Sequence, residues 1–240
     1  MIVRGKGDDR FVFVLVHSPL VGPGTWAPVA ERLRQRGCEV LVPTLCDVEG
    51  SGSPYWKQHA DAVAQALSDV PTDHPLVLTG HSGAGPMLPA VCQEAARPIA
   101  AYVFVDAGIP KDGESHLDLM ASENPEFARE FRRYLESGGR FPTWGEEDLE
   151  EQIPDARLRR MVIEELRPRP LAFFEEPIPV FDEWPDAACA YLKLSPAYNV
   201  PAERARGNGW TYLGMEAGHF HMLVDPSAVA EALVELGGRP

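Results

Sequence analysis

Residues Leu76–Met87 read LVLTGHSGAGPM: an apolar run, a glycine, then a serine set among small residues. Leu76–Thr79 has the length and apolarity of a buried strand, and Met87–Ala96 has a helical pattern. Gly80-His81-Ser82-Gly83-Ala84 must therefore turn a strand into a helix. In that setting the pentapeptide predicts a nucleophile elbow, with Ser82 on a strained turn. Its neighbours are small because larger side chains would strike the adjoining strand and helix. Ala84 stands where glycine is usual. The competing reading of the same letters is a glycine-rich helix start with Ser82 as a capping residue.

Outward from the elbow, strands alternate with helices. Phe11–Val16 is continuously apolar rather than alternating, which predicts a strand buried on both faces. Thr25 is expected to cap a helix with Trp26, Val29 and Leu33 on one face, ended by Gly37. Glu39–Val42 reads as a second strand closed by Pro43. Ser53 and Pro54 open a helix in which His59, Val63 and Leu67 share a face, and Ala101–Val105 reads as a fourth strand. The alternation predicts an α/β fold with a mostly parallel central sheet flanked by helices. After Pro110 the strands stop. Asn124-Pro125 opens a helix with Phe127, Phe131 and Leu135 in a stripe, and a second begins at Asp155. Strand character returns at Cys189–Leu194 and Trp210–Leu213, and Pro226–Leu236 reads as a last helix. The expected division is a core of residues 1–110 and 186–240 interrupted by a helical insertion, 111–185.

Composition narrows the function classes. With 45 % hydrophobic and 24 % charged residues the 240-residue chain is in the globular range, not the disordered or fibrous one. Lys+Arg 22 against Asp+Glu 36 leaves a net charge of -14, which opposes a nucleic-acid partner. Residues 111–190 hold 20 acidic and 10 basic residues, so most of that charge lies on the insertion, read as a solvated face. No apolar run nears the ~20 residues of a membrane span, so no membrane partner is expected. Met1–Arg10 lacks a cationic and apolar leader, and Cys38, Cys46, Cys92 and Cys189 show no CxxC spacing. These features predict a cytoplasmic monomer or homodimer with reduced thiols and a small-molecule substrate. No metal, nucleotide or flavin signature is visible, so no cofactor is expected.

A serine hydroxyl needs a base to remove its proton. The order that follows this elbow is Ser, then acid, then His. Gly218-His219-Phe220 follows the last strand through a short loop, which puts His219 at the carboxyl edge of the sheet, where ligands bind. His81 is expected to be buried in the elbow, and His59, His74 and His116 fall on or after helices or in the insertion. His219 and His221 as metal ligands would lack a third partner at suitable spacing.

At these positions the chain resembles the α/β-hydrolase family, in particular the small esterase and hydroxynitrile-lyase-like group. The residues that carry the resemblance are Val16-His17, the elbow, Phe104-Val105-Asp106-Ala107 and Gly218-His219-Phe220. It implies the α/β-hydrolase fold, with the insertion in the place of a helical lid. It also implies a carboxylate that steadies the histidine. In many relatives this acid stands four residues before a proline after the next-to-last strand; counting back from Pro201 lands on Ala197, with Asn199 nearby. Asp106, at the end of the strand after the elbow helix, is the better candidate, and Glu216 is a third. The alternative role for Asp106 is a structural cap on its loop.

The resemblance also locates the oxyanion donors. One is the backbone N–H of Gly83. The other is expected two residues past His17, at Pro19, which has no N–H. Leu20 N–H or the Ser18 hydroxyl would have to substitute. Three functions stay open. The first is a serine hydrolase of an ester, thioester or lactone of a small apolar or aromatic molecule, using Ser82, His219 and Asp106. The second is a lyase, dehydratase or cyclase using Ser82 and His219 as a base, which Pro19 motivates. The third is a ligand-binding pseudoenzyme. Hydroxynitrile lyase is disfavoured, because relatives with that activity carry lysine after the histidine where this chain has Phe220. The insertion's aromatic residues (Phe127, Phe131, Tyr134, Phe141, Trp144, Phe173, Phe174) read chiefly as packing, with some expected to cover the site.

Overall fold

The computed structural model describes residues 11–47 and 54–238. Six strands, β1 (Val12–Val16), β2 (Glu39–Leu41), β3 (Leu76–His81), β4 (Ile99–Val105), β5 (Ala188–Lys193) and β6 (Thr211–Gly214), form one sheet in the order β2-β1-β3-β4-β5-β6. All five pairings are parallel. Parallel neighbours require crossovers, and helices supply them on both faces: α1 (Ala27–Gln35), α2 (Tyr55–Ala66) and α3 (Leu88–Ala95) in the first half. Five helices lie between β4 and β5: α4 (His116–Glu123), α5 (Pro125–Glu136), α6 (Glu146–Leu149), α7 (Ala156–Glu164) and α8 (Leu171–Phe174). Helices α9 (Asn199–Gly207), α10 (His221–Val224) and α11 (Pro226–Leu236) close the chain.

The strands read as continuous because both faces are covered. Phe13 and Leu15 of β1 join a core with Val29 and Leu33 of α1 and Val229 and Leu233 of α11. Val12, Val14 and Val16 point the other way, into a core with Ala60 and Val63 of α2 and Val91 of α3. Leu117, Phe131, Leu135, Phe173 and Phe174 form a smaller core within the helical segment. The chain leaves β1 toward β2 on one side and returns to β3 on the other. The β1/β3 boundary is therefore the switch point of the sheet, where an open α/β sheet leaves a crevice.

Gly37 ends α1 with φ +84°, a backbone that favours glycine. The expected cap at Thr25 is not formed. Trp26 precedes α1, and the Thr25 hydroxyl donates back to Gly22 O at 2.8 Å, closing a short 3₁₀ turn. Phe127 stacks on Phe131 at 5.8 Å, as the stripe predicts, but it is 52 % exposed where Phe131 and Leu135 are buried. Pro54 precedes α2, while Ser53 and Met1–Arg10 lie outside the described residues. Among the described residues no helix is long and apolar enough to cross a membrane.

Candidate active site

β3 ends at His81, and Ser82 starts a 3₁₀ turn (Ser82–Met87) that leads into α3. Ser82 has φ +55°. A Cβ at Gly80 would lie 3.1 Å from Leu88 Cδ2 and 3.2 Å from the Ala84 and Gly85 backbone, so that position must stay small. Gly85 is tighter still: a Cβ there would sit 2.5 Å from Gly108 O. Ala84 is fully buried, so its methyl is packed within the elbow at a position where glycine is usual. Ser82 is the first residue inside the turn rather than the cap before it, and its hydroxyl bonds Tyr198 instead, which disfavours the simple helix-cap reading.

Asp106 follows β4 with φ +44° and is fully buried. Its Oδ1 accepts from Leu194 N at 2.8 Å and Ser195 N at 3.0 Å. Its Oδ2 accepts from Ser195 Oγ at 2.5 Å and from His219 Nδ1 at 2.9 Å. Asp106 is thus both the anchor of the loop after β5 and the partner of the histidine. Ser82, Ala96 and Asp106 are the non-glycine residues with positive φ among the described residues. Two of the three are site residues, as expected where backbone strain serves a function.

The loop carrying His219 is tied to the end of β5 through Met215 N to Lys193 O (2.8 Å) and Ala217 N to Leu194 O (3.0 Å). Bonding to Asp106 puts the proton on His219 Nδ1 and leaves Nε2 with its lone pair. His81 Nε2 donates to His219 O at 3.1 Å, and the two rings lie 4.4 Å apart. Burial first, and the neighbouring His219 second, hold His81 well below the usual imidazole range, so it stays neutral. Asn199 opens α9 and is exposed, and Glu216 is exposed and pairs with Lys193, so neither competes with Asp106.

Ser82 Oγ shares a hydrogen bond with Tyr198 Oη at 2.9 Å, and the Tyr198 ring stacks on His219 at 5.0 Å with an interplanar angle of 5°. Among the described residues Ser82 Oγ has no hydrogen bond to His219. Tyr198 stands between Ala197 and Asn199, but no motif or spacing in the sequence marks it as a site residue.

Pro19 occupies the expected donor position of the loop after β1. Its carbonyl accepts from Arg169 Nε at 3.0 Å and Nη2 at 2.9 Å, and Arg169 Nη1 pairs with Asp47, which also bonds His59. Burial alone would raise the Asp47 carboxyl, but hydrogen bonds from His59 and Arg169 hold it down to about 2. Leu20 N–H turns back to Ser18 Oγ at 3.4 Å. The Ser18 hydroxyl lies 3.6 Å from where a Cβ on Gly83 would be, on the same side as Pro19 Cδ (3.6 Å) and His116 Cε1 (3.5 Å).

These groups open on a cavity of about 860 Å³. Ser82, Gly83, Pro19, Leu20, Tyr198 and His219 line it, and Phe127, Phe141, Trp144, Phe173 and Phe174 supply aromatic surface. Five of the seven aromatic residues read chiefly as packing thus face the cavity. His116 stacks on Phe173 at 5.1 Å, and burial pushes its imidazole down to about 4. Glu123 is the one Asp, Glu, Lys or Arg among the described lining residues. Arg132 pairs with Glu175, and Arg159 is held by Glu146 and backbone carbonyls, so neither brings positive charge to the cavity.

The model described as the alpha/beta hydrolase family matches residues 13–232. The chain belongs to that family. Its resemblance to a carbendazim-hydrolysing esterase of Nocardioides sp. (strain SG-4G) is 30 % identity over 123 residues, 47 % of this chain and 48 % of the relative. Methylesterase 1 of Arabidopsis thaliana is 30 % identical over 128 residues, 48 % of each chain. The chain therefore spans about half the length of the curated relatives it matches. An extracellular α/β-hydrolase from a Paenibacillus species superposes with a TM-score of 0.75 at 19 % identity, over 95 % of this chain and 100 % of that one. At that identity the likeness bears on the fold, which is the α/β-hydrolase fold expected from the sequence.

Proposed function

We propose that this α/β-hydrolase is a serine esterase acting on a carboxylic ester of a small apolar or aromatic molecule. The observation that carries the reading is the 2.9 Å bond from His219 Nδ1 to the buried Asp106, beside a cavity that His219 and Ser82 both line. In this mechanism Ser82 rotates from Tyr198 toward His219 and gives its proton to Nε2 while Oγ attacks the acyl carbon. Asp106 holds the tautomer and stabilises the imidazolium. Gly83 N–H and the Ser18 hydroxyl receive the developing oxyanion, the hydroxyl replacing the N–H that Pro19 lacks. Arg169 holds the Pro19 carbonyl, which would otherwise repel that charge. Residues 111–185 form the cover that makes the site apolar.

The two relatives are a carbendazim-hydrolysing esterase and a methylesterase, which supports ester hydrolysis over other acyl chemistry. Among the described lining residues there is no lysine or arginine, which disfavours anionic acyl carriers. Pro19 favours one second reading, a non-hydrolytic reaction using Ser82 and His219 as a base. Intact-mass detection of a fluorophosphonate adduct decides first whether the serine is activated. Wild type should gain one adduct that Ser82→Ala and His219→Ala do not. An unlabelled wild type overturns the esterase reading and leaves a binding role, and labelling without turnover of any aryl ester favours the base-only alternative.

A further inference from the structure

Tyr198 touches both Ser82 and His219: its hydroxyl lies 2.9 Å from Ser82 Oγ and its ring lies flat on the imidazole at 5.0 Å. Its position is not incidental to packing. Tyr198 N donates to Ser195 O at 3.3 Å, and Ser195 is itself held on Asp106 by its N–H and hydroxyl. The turn that fixes the acid therefore also fixes the phenol. The resting Ser82–Tyr198 bond cannot persist through the reaction, because Oγ becomes an ester oxygen and loses most of its strength as an acceptor. The leaving oxygen is attached to the same acyl carbon and must come within reach of the same His219 Nε2 that protonates it. A phenol within bonding distance of Oγ and stacked on His219 is then beside that leaving oxygen.

Building on the esterase reading, we infer that Tyr198 is a catalytic residue that donates a hydrogen bond to the leaving-group oxygen during acylation, which makes the site one for oxygen esters of aliphatic alcohols. During acylation the Ser82 proton passes to His219 Nε2 as the Oγ–carbon bond forms. When the tetrahedral intermediate collapses, the carbon–oxygen bond of the leaving group breaks and that oxygen takes the proton from His219. Tyr198 donates throughout and keeps its own proton. Burial pushes the phenol above its ordinary range, so it remains a donor rather than a base. Its help grows with the charge on the leaving oxygen, so alkoxides gain most and stabilised aryloxides least. Thioesters gain little, since sulfur is a weak acceptor.

The test compares wild type with Tyr198→Phe, which keeps the ring that stacks on His219 and removes only the hydroxyl. The kcat/KM values, which report acylation, are measured for the methyl, phenyl and 4-nitrophenyl esters of one aromatic carboxylic acid. The expected result is a loss of about 10²-fold on the methyl ester and less than about threefold on the 4-nitrophenyl ester. Because the comparison is a ratio within one preparation, partial unfolding of the variant cancels. An equal loss on all three esters, or no loss on any, overturns the inference. Fluorophosphonate labelling separates the two levels. A labelled wild type with a flat leaving-group profile refutes Tyr198 alone, whereas an unlabelled wild type refutes the esterase reading and this inference together.

Discussion

Asp106→Asn separates the catalytic share of Asp106 from its structural one. The carboxylate accepts four hydrogen bonds, three from the Leu194–Ser195 segment and one from His219. In the asparagine variant the amide oxygen retains Leu194 N–H and Ser195 N–H as donors. The amide nitrogen replaces Oδ2, which the Ser195 hydroxyl tolerates by turning to accept. His219 does not tolerate it: its Nδ1 must become the acceptor, and the proton moves to Nε2, where it cannot serve as a base. The expected loss in kcat is on the order of 10⁴, or roughly 5.5 kcal/mol of transition-state stabilisation. The fold should lose only about 1–2 kcal/mol, the strength of the charge-assisted bonds weakened. Asparagine also accepts the φ of +44° at this position, so backbone strain does not confound the comparison.

Asp106→Ala is the opposite case. It strands the two buried N–H groups and the Ser195 hydroxyl at about 1–3 kcal/mol each, a large part of a typical domain's 5–15 kcal/mol. The assay pairs kcat/KM on a 4-nitrophenyl ester with urea unfolding of each variant. Retention of more than about a tenth of the activity in Asp106→Asn, or full stability in Asp106→Ala, would refute the reasoning. Asn199→Ala, at an exposed side chain, should leave both measurements near wild type.

Ser18→Ala removes the hydroxyl proposed as the second oxyanion donor; kcat should fall about 10²–10³-fold with little change in KM, and an unchanged kcat would return the role to Leu20 N–H. Acid should destabilise the protein early. His17 and His116 are pushed down to about 4 by burial, so the native state refuses protons that the unfolded chain takes up below about 6.5. Their stability contribution is therefore fully present above the ordinary imidazole range and is lost as pH falls toward 4, by about 3 kcal/mol each. Urea midpoints measured at successive pH values should show that slope, and His116→Phe should flatten part of it; a flat wild-type profile would contradict the burial argument. Gly85→Ala should cost about 1–3 kcal/mol, because the added methyl meets Gly108 O at 2.5 Å, and an unchanged Tm would show that the elbow relaxes.

What could be read from the chain alone was local. Unbroken apolarity in Phe11–Val16 and the strand–glycine–serine–helix pattern at Leu76–Met87 follow from side-chain periodicity and the sterics of one turn, and β1 and the elbow stand where those patterns put them. The elbow pointed to Ser82 and the loop after the last strand to His219, whereas Asp106 was reached only through the family resemblance; all three follow strands whose carboxyl ends share one edge of the parallel sheet. Tyr198, the Arg169 clamp on Pro19 and the close approach at Gly85 had no such signal. Ser82 and Tyr198 are 116 positions apart, and Arg169 and Pro19 are 150 apart. Sheet register and the packing of the helical segment against the crevice bring them together, and no residue's own pattern records a partner so distant. The aromatic residues show the same division. Their spacing marked them as apolar faces, but whether an apolar face packs or lines a cavity depends on what stands opposite. Phe131 met α8, and Trp144 met the opening above Ser82, a distinction that only the assembled chain makes.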